Sequence, residues 1–294
     1  MHMRRVAPVS LLLAALLGVL LPAQQPPQLT LPNKPDTVKF LAMGDNGTGE
    51  RPQYEAAETM AAALKLFPFD FAIMLGDNMY GSQRPADFVT KFERPYKPLL
   101  DAGVTFYASL GNHDEQNNRF YTPWNMNGER YYTYTKKNVR FFALDSNNMD
   151  PKQVNWLRKE LQTATEAWKV AYFHHPLYSS AERHGSEIDL RRVLEPLFVR
   201  YGVNAVFSGH DHVYERIRPQ KGIYYFVSGA AGQLRRGDLQ ASRMMEKGYD
   251  LDLSFMLVEI DDDAMSIQAV SRTARSVDSA TLPKQQGKPQ TSAR

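Results

Sequence analysis

Asn204-Ala205-Val206-Phe207-Ser208-Gly209-His210-Asp211-His212 sets a short apolar run directly against a glycine and two histidines two positions apart. Such a run suits a buried strand, and a loop at its end can turn both imidazoles toward one point. Four other stretches repeat the arrangement. Gly44-Asp45-Asn46-Gly47 follows Val38 to Met43, and Gly76-Asp77-Asn78-Met79-Tyr80 follows Phe71 to Leu75. Gly111-Asn112-His113-Asp114 follows Val104 to Leu110, and His174-His175-Pro176 follows Trp168 to Phe173. Taken singly, the first two read as turns, because Gly, Asn and Asp are turn residues. Histidine between polar residues in the third, and paired histidines in the fourth, fit neither a turn nor packing. Jointly, all at the ends of apolar runs, the five stretches point to a metal site.

The segments between them set the fold class. Pro52 to Leu66 reads as a helix with Tyr54, Ala57, Ala61 and Leu64 on one face, and Pro85 to Phe92 as a second. Strand, helix, strand, helix, strand argues for parallel pairing. Asn117 to Arg130 has no clear period and reads as a loop. Tyr131 to Lys136 and Val139 to Leu144 read as a hairpin about Lys137-Asn138. Asp150 is placed to cap a helix that begins at Pro151 and buries Val154, Leu157 and Leu161. Ile188 to Tyr201 reads as a helix broken or bent at Pro196. Strands follow at Tyr224 to Val227, Ser254 to Ile260 and Ala264 to Val270, the last two paired across Asp261-Asp262-Asp263. One twisted sheet does not carry this many strands easily. The reading is therefore an α/β fold, a four-layer αββα sandwich of two mixed sheets flanked by helices. In open α/β architectures sites form outside the carboxyl ends of the strands, where all five stretches lie.

With 294 residues and 43% hydrophobic content the chain can bury a sizeable core. Of its 35 basic residues, Arg4 and Arg5 precede the apolar run Leu11 to Leu21, leaving 33 against 32 acidic residues. That near-neutral balance gives no argument for nucleic-acid or membrane-surface binding. No cysteine is present, so disulfides, thiolate ligands and cysteine nucleophiles are excluded, and a metal must be held by oxygen and nitrogen. The basic, apolar, small-residue order ending at Leu21-Pro22-Ala23 is that of a secretory signal, and the run is short of the roughly 20 residues that span a bilayer. The expected organisation is a signal peptide at 1–23, a linker at 24–36, one domain at 37–275 and a disordered tail at 276–294. Localisation is then periplasmic or secreted, with no stable membrane anchor.

The donor types on the five stretches suit phosphate-ester hydrolysis. That reaction needs charge neutralisation on the phosphoryl oxygens and a hydroxide at moderate pH, which two adjacent metal ions supply. The ordered set resembles the calcineurin-like metallophosphoesterase superfamily, and most of all its purple acid phosphatase branch. Tyr80, three residues after Asp77 in a Gly-Asp-x-x-Tyr pattern, stands where that branch places an iron-binding tyrosinate. Gly47 stands where the wider superfamily often has histidine. The resemblance spans roughly Val38 to Val270. It leaves no room for the additional β-sandwich of plant enzymes, and the short stretch between Asp145 and Pro151 leaves none for the regulatory loop of small animal enzymes.

The resemblance implies Asp45, Tyr80 and His212 as ligands of a first metal, Fe(III), with Asp77 bridging. It implies Asn112, His174 and His210 as ligands of a second, which is Fe, Zn or Mn. Hard anionic donors suit the trivalent ion and imidazoles the divalent one. His113 and His184 are implied as catalytic residues that contact phosphate, one of them protonating the leaving oxygen, and His175 as a residue that supports a ligand or the structure. Asp211 is read as an orienting residue and Asp145 as a turn residue. The function expected is an exported phosphomonoesterase acting by attack of a metal-bound hydroxide on a small-molecule phosphate ester. An acidic optimum would follow from the acidity that Fe(III) gives water. A phosphodiesterase or nucleotidase on the same site is the alternative; a phosphate-sensing protein lacking a ligand, or a peroxidatic iron protein, are readings of other classes.

Overall fold

The computed structural model describes residues 26–285. Thirteen strands among them form two mixed sheets. In the first, β1 (Val38–Met43), β2 (Phe71–Leu75) and β3 (Thr105–Ser109) run parallel. β11 (Ser254–Ile260) pairs antiparallel with β1, and β12 (Ala264–Ser271) and β13 (Ser276–Pro283) extend the sheet beyond it. The second sheet has a parallel centre of β5 (Val139–Ala143), β6 (Trp168–Tyr172), β7 (Ala205–Ser208) and β9 (Ile223–Ser228). β4 (Tyr132–Lys136) pairs with β5, β8 (Tyr214–Gln220) with β9, and β10 (Met245–Tyr249) with β8, each antiparallel.

Side-chain alternation along the strands builds three apolar layers. In β1, Phe40 and Ala42 face the second sheet while Leu41 and Met43 face outward. In β6, Trp168, Val170 and Tyr172 face inward and Ala171 outward. Both faces of each central strand are therefore buried, which explains the continuous apolar runs. Between the sheets Phe40 meets Phe71, Phe141 and Phe207 at ring distances of 5.3, 5.4 and 5.8 Å. Helices α1 (Arg51–Leu66), α2 (Pro85–Phe88) and α3 (Lys97–Asp101) cover the first sheet. Helices α4 (Pro151–Thr163) and α5 (Ile188–Tyr201) cover the second. The four-layer αββα sandwich is the one read from the sequence.

Several local readings hold. Asp150 caps α4, its carboxylate accepting from the Gln153 N–H at 2.8 Å. Lys137 turns the β4–β5 hairpin with φ of 50°. Others are corrected. In α1 the buried stripe is Gln53, Ala56, Met60 and Ala63 together with Ala57; Tyr54, Ala61 and Leu64 are only partly buried. Gln53 takes an interior place because its amide accepts from Gly49 N–H (2.7 Å) and donates to the Lys91 carbonyl (2.6 Å). On α4, Val154 is only partly covered. α5 passes Pro196 as one continuous helix. Two short 3-10 turns, Gln116–Phe120 and Thr122–Trp124, occupy the expected loop.

Both flanking assignments also change. Residues 276–283 of the expected disordered tail form β13, in register with β12 from Ala264↔Pro283 onward. The polar sequence of β13 concealed a half-buried strand whose Val277, Ala280 and Leu282 pack against the inner layer. The expected linker is bound along its described part. Leu29 and Leu31 pack on the outer layer. The Thr30 N–H donates to the Gln268 side chain (2.7 Å), and the Asn33 and Lys34 N–H groups donate to the Glu259 carboxylate (2.6 and 2.7 Å). The expected signal peptide, residues 24–25 of the linker and residues 286–294 of the tail lie outside the described residues. Among the described residues no helix is long and apolar enough to cross a membrane.

Candidate metal centre

The five polar stretches leave the carboxyl ends of β1, β2, β3, β6 and β7 and meet between the sheets. Their loops are tied together by main-chain bonds. The Asp45 N–H donates to the Gly76 carbonyl (3.0 Å), Gly209 N–H to His174 (3.0 Å), and Ala231 N–H to Gly44 (3.2 Å). Asp45, Asp77 and His210 have φ of 56°, 50° and 70°, in the left-handed region. Holding non-glycine residues there costs of order 1–3 kcal/mol each and is characteristic of functional sites. A Cβ on Gly111 would lie 2.2 Å from Asp77 N, so only glycine lets β3 and β2 end this close together.

Two groups of donors result. In one, Tyr80 Oη lies 2.9 Å from Asp45 Oδ1 and 3.2 Å from His212 Nε2. His212 Nε2 lies 3.3 Å from Asp45 Oδ1. In the other, His174 Nε2 lies 2.9 Å from Asn112 Oδ1, 3.1 Å from His210 Nδ1 and 3.4 Å from Asp77 Oδ2. One ligand atom each of Asp45, Asp77 and His174 lie within 4.8 Å of one another, so the groups adjoin. Asp45, Asp77 and His174 are buried.

The second group fits a cation on its own chemistry. His174 Nδ1 faces the Leu75 carbonyl at 3.0 Å. A carbonyl only accepts, so Nδ1 carries the proton and Nε2 of the neutral ring presents a lone pair, an arrangement typical of a ligating imidazole. That lone pair, the Asn112 carbonyl oxygen and the Asp77 carboxylate then converge with His210 Nδ1. Donor spacings near 3 Å are those of neighbouring ligands on one ion with bonds of about 2.1 Å. With no metal between them, burial and then the neighbouring His174 and His175 charges push His210 down to about 2. Burial opposes charge on His174, but Asp77 and Asp45 outweigh it and raise its pKa to about 9. Burial likewise opposes charge on Asp77, and the His174 imidazolium and the His113 N–H hold it far below the carboxylate range. Burial, then Asp45 and Asp77, raises the Tyr80 phenol far above its ordinary value.

The remaining candidates lie around this centre. The His113 N–H donates to Asp77 Oδ1 (2.8 Å), its ring stands 4.8 Å from that of Tyr80, and its side chain is 54% exposed. His184 lies against His210 with ring centres 4.3 Å apart. Burial and then Arg235 lower the pKa of His184. His175 turns its Nδ1 to Ser146 Oγ (2.9 Å), and burial followed by His174 pushes it down to about 3. Asp145 is buried, bonded to Arg130 at 3.0 Å and to the Asn147 N–H at 3.0 Å, and so is structural. Asp211 is buried behind the histidine loop, and burial raises it to about 6.

Sequence reasoning missed the braces. Asp114 Oδ2 accepts from Asn78 N–H (3.1 Å) and Gly111 N–H (2.9 Å), and Oδ1 from Met79 N–H (2.9 Å), locking the β2 and β3 loops together. Gln83 donates to the His113 carbonyl (2.5 Å). The one legible hint was Asp114 itself, an acidic residue closing a Gly-Asn-His stretch.

Comparison with known proteins agrees with this geometry. The family profile for the calcineurin-like phosphoesterase domain matches residues 38–214, more than half of the chain. The chain belongs to the calcineurin-like phosphoesterase family. Rat tartrate-resistant acid phosphatase type 5 is 29% identical over 84% of this chain and 91% of its own length. The purple acid phosphatase from yellow lupin seeds superposes with a TM-score of 0.73 at 18% identity, over 86% of this chain and 55% of that one. A Plasmodium protein, GAP50, described as the anchor in the inner membrane complex, shares the fold with a TM-score of 0.74 at 18% identity, over 86% of this chain and 90% of its own. Within the family the chain sits on the purple acid phosphatase-like branch and is a metal-dependent phosphoric-ester hydrolase, with Asp and His groups that could hold metal.

Proposed function

We propose that the protein is an exported phosphomonoesterase with a dimetal centre. Asp45, Tyr80 and His212 would hold Fe(III), Asn112, His174 and His210 would hold Fe, Zn or Mn, and Asp77 would be a ligand to both. The observation that carries this reading is Tyr80: its phenol oxygen sits within 3.2 Å of both Asp45 and His212 donors. Buried beside two carboxylates, Tyr80 gives up its proton only to a strongly Lewis-acidic ion. Bound metals supply charge neutralisation at the phosphoryl oxygens and an acidified water as nucleophile.

The chain's own groups do the rest. His113, fixed through its backbone to Asp77 and half exposed, donates to a phosphate oxygen. His184, on the His210 side, binds the opposite face of the phosphate. As the phosphorus–oxygen ester bond breaks, one of the two gives a proton to the leaving oxygen. The sequence order at residues 1–23 supports export.

The test is the visible spectrum of purified protein, with metal analysis, for wild type and Tyr80→Phe. A charge-transfer band in the wild type that vanishes in Tyr80→Phe is expected. Iron-loaded wild type without such a band would remove the tyrosinate–iron assignment. Preparations holding only Mn or Zn would favour the diesterase or nucleotidase reading.

A further inference from the structure

Beside Asn112 and His175 an open cleft of about 470 Å³ leads away from the centre. Its wall is shared by the loops after β3 and β5 and by the start of α5, at Glu187 and Leu190. Of the polar side chains on this wall, Asp114, Ser146, Asn147 and Glu187 decide its character. The Asp114 carboxylate is taken up by main-chain N–H groups. Asn147 Nδ2 donates to the Leu110 and Gly111 carbonyls (3.2 and 3.1 Å), which leaves its Oδ1 as an acceptor. Ser146 is engaged with His175. The Glu187 carboxylate has neither a hydrogen-bond nor an ion-pair partner among the described residues. No lysine or arginine lines the cleft. Arg191, one turn along α5, is turned away, donating to the Leu177 carbonyl and lying 4.3 Å from the Tyr178 ring. Arg130 is taken by Asp145 and Asp150. The cleft therefore presents one carboxylate without a partner, the Asn147 acceptor and the neutral amides of Asn112 and Gln116, with no lysine or arginine side chain.

We infer that this cleft receives the alcohol half of the ester and selects leaving groups that carry a primary ammonium. The inference rests on the phosphatase reading above and names its substrate class. An ammonium on a short alkyl chain meets the Glu187 carboxylate and Asn147 Oδ1, with Leu190 against the methylenes. A leaving group bearing a second phosphate or a carboxylate meets acceptors with nothing to neutralise it, so bisphosphates and nucleoside polyphosphates are disfavoured. Water adds to phosphorus, the bond from phosphorus to the alcohol oxygen breaks, that oxygen takes a proton, and the amino alcohol leaves with its ammonium intact.

The test compares kcat/KM of the metal-loaded enzyme for three esters of similar size: 2-aminoethyl, propyl and 2-carboxyethyl phosphate, at a pH where the amine is protonated. Wild type is expected to favour the ammonium ester over the propyl ester about fivefold, with the carboxylate ester poorest, as suits one partly exposed ion pair. In Glu187→Gln the ammonium-to-propyl ratio should fall to about one, and Glu187→Asp should keep most of it. Thermal melting confirms that each variant is folded. Wild type that hydrolyses p-nitrophenyl phosphate but shows a flat series, or a ratio unmoved in Glu187→Gln, overturns this inference alone. Metal-loaded wild type that hydrolyses none of the four esters overturns the phosphatase reading beneath it.

Discussion

Gly76 stands at the turn where β2 becomes the Asp77 loop, with φ of 88°. A Cβ there would lie 2.6 Å from His174 Nδ1, the nitrogen that holds the Leu75 carbonyl. Gly76→Ala is therefore expected to push the imidazole off its orienting bond in a protein that still folds. Metal retained after dialysis should drop, with affinity weakened roughly 10- to 100-fold, the usual consequence of losing an orienting partner. Unchanged retention would show that the His174 orientation does not govern binding. At this scale much of the centre was legible, because each proposed ligand sits in a short stretch of distinctive residue types after an apolar run. The braces were not. Asp114, Gln83 and Arg130 act through partners far along the chain, and nothing in their local sequence distinguishes a buried acceptor of three N–H groups from a surface carboxylate.

Two of the strands that escaped the sequence reading, β8 and β13, spend charges inside the fold. β8 carries Glu215, Arg216 and Arg218 and looks like a solvated segment. Glu215 is in fact buried and accepts from the Ser180 N–H at 2.8 Å. Arg216 reaches across the sandwich to Asp278 on β13 with bonds of 2.7 and 3.1 Å, joined by Tyr214 Oη at 2.7 Å. This clasp fastens the edge of the first sheet to the second. Asp278 is 6% exposed there, so leaving Arg216 unpaired in Asp278→Ala should cost about 3 kcal/mol, read as a lower denaturant midpoint. The pH response has a definite sign. Burial opposes charge on Asp278, but Arg216 and Tyr214 outweigh it and hold the carboxyl below its ordinary value. A depressed folded pKa means that this contribution is complete above the unfolded value, about 3.9, and is lost as pH falls through the folded one. Wild type should thus lose stability more steeply than Asp278→Ala below about pH 4. Parallel acid limbs for the two proteins would exclude a coupled Asp278.

At the level of the whole molecule the centre joins the two halves of the sandwich. Asp45, Asp77, Tyr80 and Asn112 come from the first sheet, and His174, His210 and His212 from the second. Chelation should therefore loosen the packing of sheet on sheet. With two ions each held at about thirty times its dissociation constant, binding adds roughly 4 kcal/mol in all. For a chain of this size that corresponds to a fall in Tm of about 10 °C on metal removal, measured by calorimetry. Equal melting of loaded and stripped protein would mean that the ions do not bridge the sheets. The same division has a consequence for biogenesis. On the proposed assignment each ion draws ligands from both halves, so a nascent chain whose β6 and β7 have not yet docked offers each ion only an incomplete site. Metal acquisition becomes the closing event of maturation. The ion that ends up in the protein is then decided by what the surroundings offer at that late moment, and the finished centre records where the chain completed its folding.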